Sequence, residues 1–501
     1  MLKDSQPIDD LDSEIRRIND LINSQIKYFN LNPEFIINFV KQYLRDYRFQ
    51  FMTGTNVFSV VYENTVRNRI IENTKEIDVN IVLNILREIA FYMHFNKKAL
   101  ITVEEINSNI KTYEETYRQK VNVRLFLNSV LKARIFVESG NSYRFKDHTL
   151  VAYFVAQAIN QKYNQEENII DDIQYLLNNL CFSINSDIIL FMALITNNPK
   201  FINIIIEGAQ NHFQDMEELD FDKNNIAFLL DYDIPIKNTV PDNTEKKKRE
   251  SEIAHQEEIA KLSEVVELID EYDYSEDDLA KMENQIMLSF KYLEILSKTL
   301  PAFCHNMKVT QQDELVKLIY TAPNKFLYMM LNDIDKDFDD FVNDLYKEIS
   351  ELRKEKNIAE VNLESVKKLI GQISSMLVIY LYQVIANTSA TAQTMVALNA
   401  FDWEHNTNYK LMNLMMCAKN NSVTIFSAKA IKLSKELDSK LEKAIVKFTV
   451  RNYFLIHDVE LYGDAQKLFD YFFGQKEITG GEKKGLRIEM AKNKLERNDR
   501  I

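Results

Sequence analysis

Glycine and proline are scarce in this chain, at 9 and 7 of 501 residues. Hairpins and tight turns need both, because glycine supplies positive φ and proline presets the corner. Their scarcity excludes an architecture rich in hairpins and leaves helix as the dominant element. Cysteine is nearly missing too. Cys181, Cys304 and Cys417 lie more than a hundred residues apart and form no C-x-x-C pair. That excludes a disulfide framework and a zinc ribbon, and it suits free thiols in a reducing compartment.

Catalytic motifs are also absent. No G-x-x-x-x-G-K-[ST] loop occurs, so the chain does not cradle a nucleoside triphosphate in the P-loop manner. Gly480-Gly-Glu-Lys-Lys-Gly485 has the glycines of such a loop but not its Lys-[ST] ending or a preceding strand. There is no H-E-x-x-H, no G-x-S-x-G and no spaced Cys/His set, and neighbours such as Cys304 and His305 point to different sides of a helix or strand. Enzymatic chemistry is therefore not expected on this chain.

Positive charge is in deficit, with 61 Lys and Arg against 75 Asp and Glu for a formal net charge of -14. Phosphate contacts need a clustered positive surface, so broad nucleic-acid binding is not expected, although a local basic face is compatible with this balance. The N-terminus, Met1-Leu-Lys-Asp-Ser-Gln-Pro-Ile-Asp-Asp, is polar and acidic and has no apolar core of a secretory signal. From Leu369 to Phe401 no charged residue occurs, yet the apolar block Met376 to Ala386 is shorter than the roughly 20 residues of a membrane span. The expectation is a buried core helix, no membrane partner and a cytoplasmic setting.

What is present is ordinary for a globular protein: 46% hydrophobic and 27% charged residues, in a length that suits about three domains. Residues 1–78 read as a helical segment, with Ile15, Ile18, Leu21 and Ile22 at helical spacing. Within it Asn32 can cap and Pro33 can open the next helix. Residues 79–165 read as a winged-helix-like domain. Val82, Ile85, Leu86, Ile89 and Met93 share one helical face; Thr102-Val-Glu-Glu105 is a capping box opening a second helix; and Val123, Phe126, Leu127, Val130 and Leu131 form a third stripe. The period then drops to two, with Ile135 and Val137 alternating with Phe136 and Glu138. Ser-Gly-Asn-Ser supplies a turn, and Tyr143 and Phe145 return. Beyond this come a helical extension at 166–235, broken at Asn197-Asn-Pro199, and a linker at 236–261. An α-helical C-terminal domain follows at 262–475, with a stop expected at Ala322-Pro323-Asn324, and then a flexible tail at 476–501. The fold class is mainly α, with one β-hairpin.

A DNA-binding winged helix would turn Arg118, Lys120, Arg124, Lys132 and Arg134 toward phosphate, but the third helix also carries an apolar face to a core and the chain is acidic. Asp333-Ile-Asp335-Lys-Asp337-Phe-Asp339 has the opening of a calcium loop. Phe338 stands where the turn needs glycine, however, and Ile334, Phe338, Phe341, Val342 and Leu345 share one helical face, so no metal is expected.

After the hairpin comes Phe145-Lys-Asp-His-Thr-Leu-Val-Ala-Tyr-Phe-Val-Ala156. This segment resembles the one that follows the wing in STAND-class regulatory NTPases, the group that includes NACHT-type proteins, whose pattern is Phe-x-His-x-x-x-x-x-Tyr-Phe/Leu-x-Ala. Phe145, Tyr153, Phe154 and Ala156 match it; Asp147 stands in the place of the histidine, and His148 comes one residue later. Segments Lys291 to Phe303 and Ile319 to Lys325 look like parts of the helical C-terminal regions of large bacterial STAND proteins. The resemblance implies Asp147 and His148 as nucleotide-proximal candidates, with Pro33 near the adenine. The residues alone equally allow Asp147 as a helix cap beside a satisfied histidine, and Pro33 as a helix start. The resemblance further implies the regulatory and sensor part of a switch in bacterial antiviral defence or stress signalling. Its ATPase would be missing from this chain or on a separate subunit, ATP or ADP would be bound only there, and a protein trigger and oligomerisation on activation would follow. The alternative is a helical scaffold unconnected to nucleotide.

Overall fold

The computed structural model describes residues 56–74, 77–163, 169–196, 199–230, 234, 282–355, 361–457 and 462–474. Among them are 17 α-helices and one three-stranded antiparallel sheet, so the chain is mainly α as its glycine and proline content requires. It divides into two compact units, Met1–Gly208 with Ile253–Asn306, and Ala209–Glu252 with Met307–Ile501. The helix start at Pro33, the linker at 236–261 and the tail at 476–501 lie outside the described residues.

The first unit opens with α1 (Asn56–Asn73) and α2 (Val79–Phe95). Asp78 caps α2 by accepting from the Asn80 N–H at 2.7 Å, and Val82, Ile85, Leu86, Ile89 and Met93 are all buried, as their spacing predicts. Next come β1 (Ile101–Thr102) and α3 (Val103–Tyr117). The capping box closes: the Glu105 N–H donates to Thr102 Oγ1 at 3.3 Å and the Thr102 N–H donates to Glu105 Oε2 at 2.9 Å. Lys98 also donates to Glu105, and this bond, followed by that from Thr102, holds the carboxyl below the usual carboxylate range. Then α4 (Val123–Lys132) buries Phe126, Leu127 and Val130.

β2 (Phe136–Ser139) and β3 (Ser142–Phe145) form the expected hairpin, and the strand order is β1-β3-β2. Gly140, at φ +61°, leads the two-residue turn, a conformation only glycine takes without strain. Phe136 pairs with Phe145 across the hairpin, the rings meeting edge to face at 4.8 Å, while Val137 is half-buried. Ile135 precedes the strand, its N–H bonding back to Val130. β1 was not anticipated from periodicity, because two residues are too few to alternate; Ile101 pairs with Tyr143.

Next in this unit are α5 (His148–Tyr163), α6 (Ile169–Asn178), α7 (Ser183–Ile195) and most of α8 (Pro199–Phe213), and later α9 (Met282–Phe303). α8 begins with proline at its first position, as the Asn-Asn-Pro break implies. α5 is buried on every side from Leu150 to Ile159 and packs against both α2 and α7, the pattern of a central helix. α9 packs on α7.

His94, on α2, is 5% exposed, and burial pushes its imidazole from 6.5 down to about 4. The folded state therefore favours the neutral ring. Its contribution is complete above pH 6.5 and is lost as the pH falls toward 4. Over that window we expect this one group to remove about 3 kcal/mol of stability. Urea unfolding at a series of pH values should show a steeper acid-side loss in the wild type than in His94→Gln. Equal slopes would refute this.

The second unit contains α10 (Val309–Lys336), α11 (Phe338–Glu355), α12 (Leu363–Ser389), α13 (Met395–Ala400), α14 (Thr407–Asn420), α15 (Val423–Glu436), α16 (Lys440–Ile456) and α17 (Gly463–Phe473). α14 packs on α12, α15 and α16. Among the described residues, α12 is the single helix long and apolar enough to cross a membrane, and 56% of its apolar window is buried inside the fold.

The stop expected at Ala322-Pro323-Asn324 is not there: α10 runs through Pro323. Proline removes one helical hydrogen bond, but the buried Asn324 side chain donates to the Tyr320 carbonyl at 2.8 Å and braces the same turn. The aspartate-rich stretch also differs from expectation. Asp337 separates α10 from α11, so Ile334 and Phe338 lie on different helices; Phe338 stacks on Phe228 at 4.6 Å and Phe341 is exposed. Among the described residues no group of His, Cys, Asp and Glu is placed to hold a metal.

A buried polar network joins the irregular segment before the 3-10 turn Ala227–Leu230 to three helices of this unit. Asn408 on α14 donates to Tyr382 Oη on α12 at 2.9 Å and to Asn324 Oδ1 on α10 at 3.2 Å. Its own Oδ1 accepts from the Phe221 N–H at 2.9 Å. Beside it, Asp222 accepts from both the N–H and the hydroxyl of Thr407, at 3.0 and 2.6 Å. The Asn324 carbonyl accepts from the Leu219 N–H at 3.0 Å.

Candidate functional site

The junction of β3 and α5 carries the two candidate residues that the structure describes. Asp147 ends the link from the hairpin, and its Oδ1 accepts from the Leu150 N–H at 2.9 Å, satisfying one of the open donors of the first turn. His148 begins α5 and aims its Nε2 at Asp187 Oδ2 on α7, 2.6 Å away. Their side chains are 14% and 22% exposed, so the pair is largely withdrawn from water. Pro33, the third candidate, lies outside the described residues.

A second layer packs under this pair. Tyr62, on α1, is buried with its ring 4.9 Å from Tyr153 and 5.3 Å from Phe191. Burial, reinforced by the negative charges of Asp147 and Asp187, pushes its phenol well above the ordinary value. Tyr153, also raised by burial, accepts from Gln157 Nε2 at 3.2 Å. Arg69 supplies the opposing charge near Tyr62. The aromatic contacts continue from Tyr153 through Phe154 to Phe145, so the site and the hairpin share one packed core.

Chemically the cluster is a clamp between helices. A phosphate brought here would face two carboxylates, at a helix end whose Leu150 N–H is already engaged by Asp147.

Asp187, Tyr62 and Arg69 were not recognised from sequence. Asp187 did leave a signal, being the single charged residue between Asp172 and Lys200, and a lone carboxylate in an apolar helix needs a partner. Tyr62 and Arg69 left none, since their roles depend on which helices meet.

With this geometry in view, the comparison with protein families is informative. Residues 100–155 match the family model described as Novel STAND NTPase 4. The matched stretch runs from β1 through the hairpin into α5 and includes Asp147 and His148. It links this segment to the STAND NTPases. No curated protein and no solved structure matches the chain.

Proposed function

We propose that the chain is the regulatory and sensor portion of a STAND-class, NACHT-like switch that acts through protein contacts. The observation that carries this reading is a coincidence of position. The stretch matching the STAND family folds as strand, helix, helix and hairpin directly after α2, and together with that preceding helix this is the element order of a winged helix. The P-loop that drives such a switch does not occur in these 501 residues. In this reading the chain is not an enzyme and holds no nucleotide by itself; ATP or ADP belongs to an ATPase on a separate subunit or on a part outside this sequence. The setting is cytoplasmic, the purpose bacterial antiviral defence or stress signalling, and the partners are that ATPase, a protein trigger and further copies on activation.

The His148–Asp187 pair is the element such an ATPase would bias, because it ties the helix after the wing to α7. A pair of this kind, worth about 1 kcal/mol, shifts a two-state balance by about fivefold. The test reads the genes on either side for a P-loop domain, mixes the purified chain with that product and follows phosphate release. The expected result is a stable complex in which the chain lowers basal ATP turnover and Asp187→Asn restores about fivefold of it. Sustained phosphate release by the chain alone, or no effect on the P-loop protein, would overturn the proposal and leave a helical scaffold.

A further inference from the structure

Between Glu115 and Glu138 the sequence has no acidic residue but carries Arg118, Lys120, Arg124, Lys132 and Arg134, in a chain whose formal net charge is -14. All five are exposed. They flank or lie on α4, and none makes an ion pair with a described residue. Elsewhere cations do find acidic partners, as Lys162 meets Glu88 at 3.5 Å and Lys367 meets Asp339 at 2.7 Å. Arg124, Asn128 and Lys132, at i, i+4 and i+8, form one exposed row along α4, opposite buried Phe126, Leu127 and Val130. Arg118 and Arg134 bracket the helix, both in the left-handed region at φ +52° and +54°. That conformation is disfavoured for arginine, and the fold maintains it at both ends of the basic row.

We propose that this face of α4 is a docking surface for double-stranded DNA, contacted mainly through its phosphates. Charge complementarity selects the partner, since five cations without an ion pair outnumber the one carboxylate that reaches this stretch, Glu114, whose Oε1 accepts from the Val121 N–H at 2.7 Å, and form a local positive stripe on an otherwise acidic protein. Shape agrees with it. A ten-residue helix is about 15 Å long and enters a major groove about 12 Å wide, and a hairpin follows α4 within a few residues. Arg124 and Asn128 are side-chain types that read base edges, while the remaining cations suit backbone contacts. The surface lies wholly in the first unit and does not depend on the link to an ATPase.

The experiment is fluorescence anisotropy of a labelled random-sequence DNA duplex titrated with the full chain. At about 50 mM salt we expect saturable binding that weakens steeply toward 200 mM, as counterion release requires. The double variant Arg124→Glu/Lys132→Glu should bind at least about tenfold more weakly, with a salt slope shallower by about 2. Lys347→Glu/Lys432→Glu, reversing two exposed cations of the second unit, should bind as the wild type does. Both doubles alter exposed side chains, so unchanged thermal unfolding confirms that each is folded. The proposal is overturned by three results: no binding at low salt, equal affinity in the α4 variant, or displacement of the duplex by poly-glutamate at matched charge. The last would assign the face to an acidic polypeptide.

Discussion

Replacing Phe154 with alanine is expected to destabilise the first unit by about 3–5 kcal/mol, the usual cost of emptying a fully buried phenylalanine site. Phe154 has no exposed surface, and its ring lies 5.1 Å from Tyr153 and 5.8 Å from Phe145. The cavity would open where α5 meets the hairpin, between the rings of Tyr153 and Phe145. Urea unfolding followed by far-ultraviolet circular dichroism measures the loss, and Phe154→Leu should recover more than half of it. A cost below about 1 kcal/mol would mean that the site relaxes freely, and that α5 is not the central helix its burial describes.

The second large effect is expected from Asn408→Ala, at about 2–4 kcal/mol, this time in the second unit. The side chain donates to Tyr382 and Asn324 and accepts from the Phe221 N–H, all in a buried interior. Removing it leaves a backbone donor and the Tyr382–Asn324 pair short of partners, and an orphaned buried group costs more than a lost hydrogen bond returns. Tyr382→Phe removes one hydroxyl from the same network and should cost less. If the two variants destabilise equally, the network does not centre on Asn408.

Much of the fold follows from short-range rules. The apolar stripe of α2, the capping box at Thr102 and Glu105, and the hairpin around Gly140 are each set by residues within a few positions of one another. The structure agrees with them. The continuation of α10 through Pro323 is different in kind: the bond that braces the turn is local, but the burial that holds Asn324 there comes from α12 and α14. Local propensity argues for a stop, and tertiary packing overrides it. At the candidate site the same division holds. The cap made by Asp147 is readable from its neighbours, while the partner of His148 lies 39 residues away on α7. Periodicity says which face of a helix is apolar but not which helix will cover it.

The chain path of the first unit has a consequence for synthesis. Its body is built from Met1–Gly208, but α9, which covers part of α7, is supplied by Ile253–Asn306. On the ribosome, α7 and its apolar face emerge well before their cover. At about 5–20 residues per second, that leaves a window of several seconds in which the face is open to a chaperone or to another nascent copy. A message truncated before Met282 would leave the first unit permanently without that cover. Slow codons in the intervening stretch should therefore lower the yield of folded protein more than the same codons placed after Asn306.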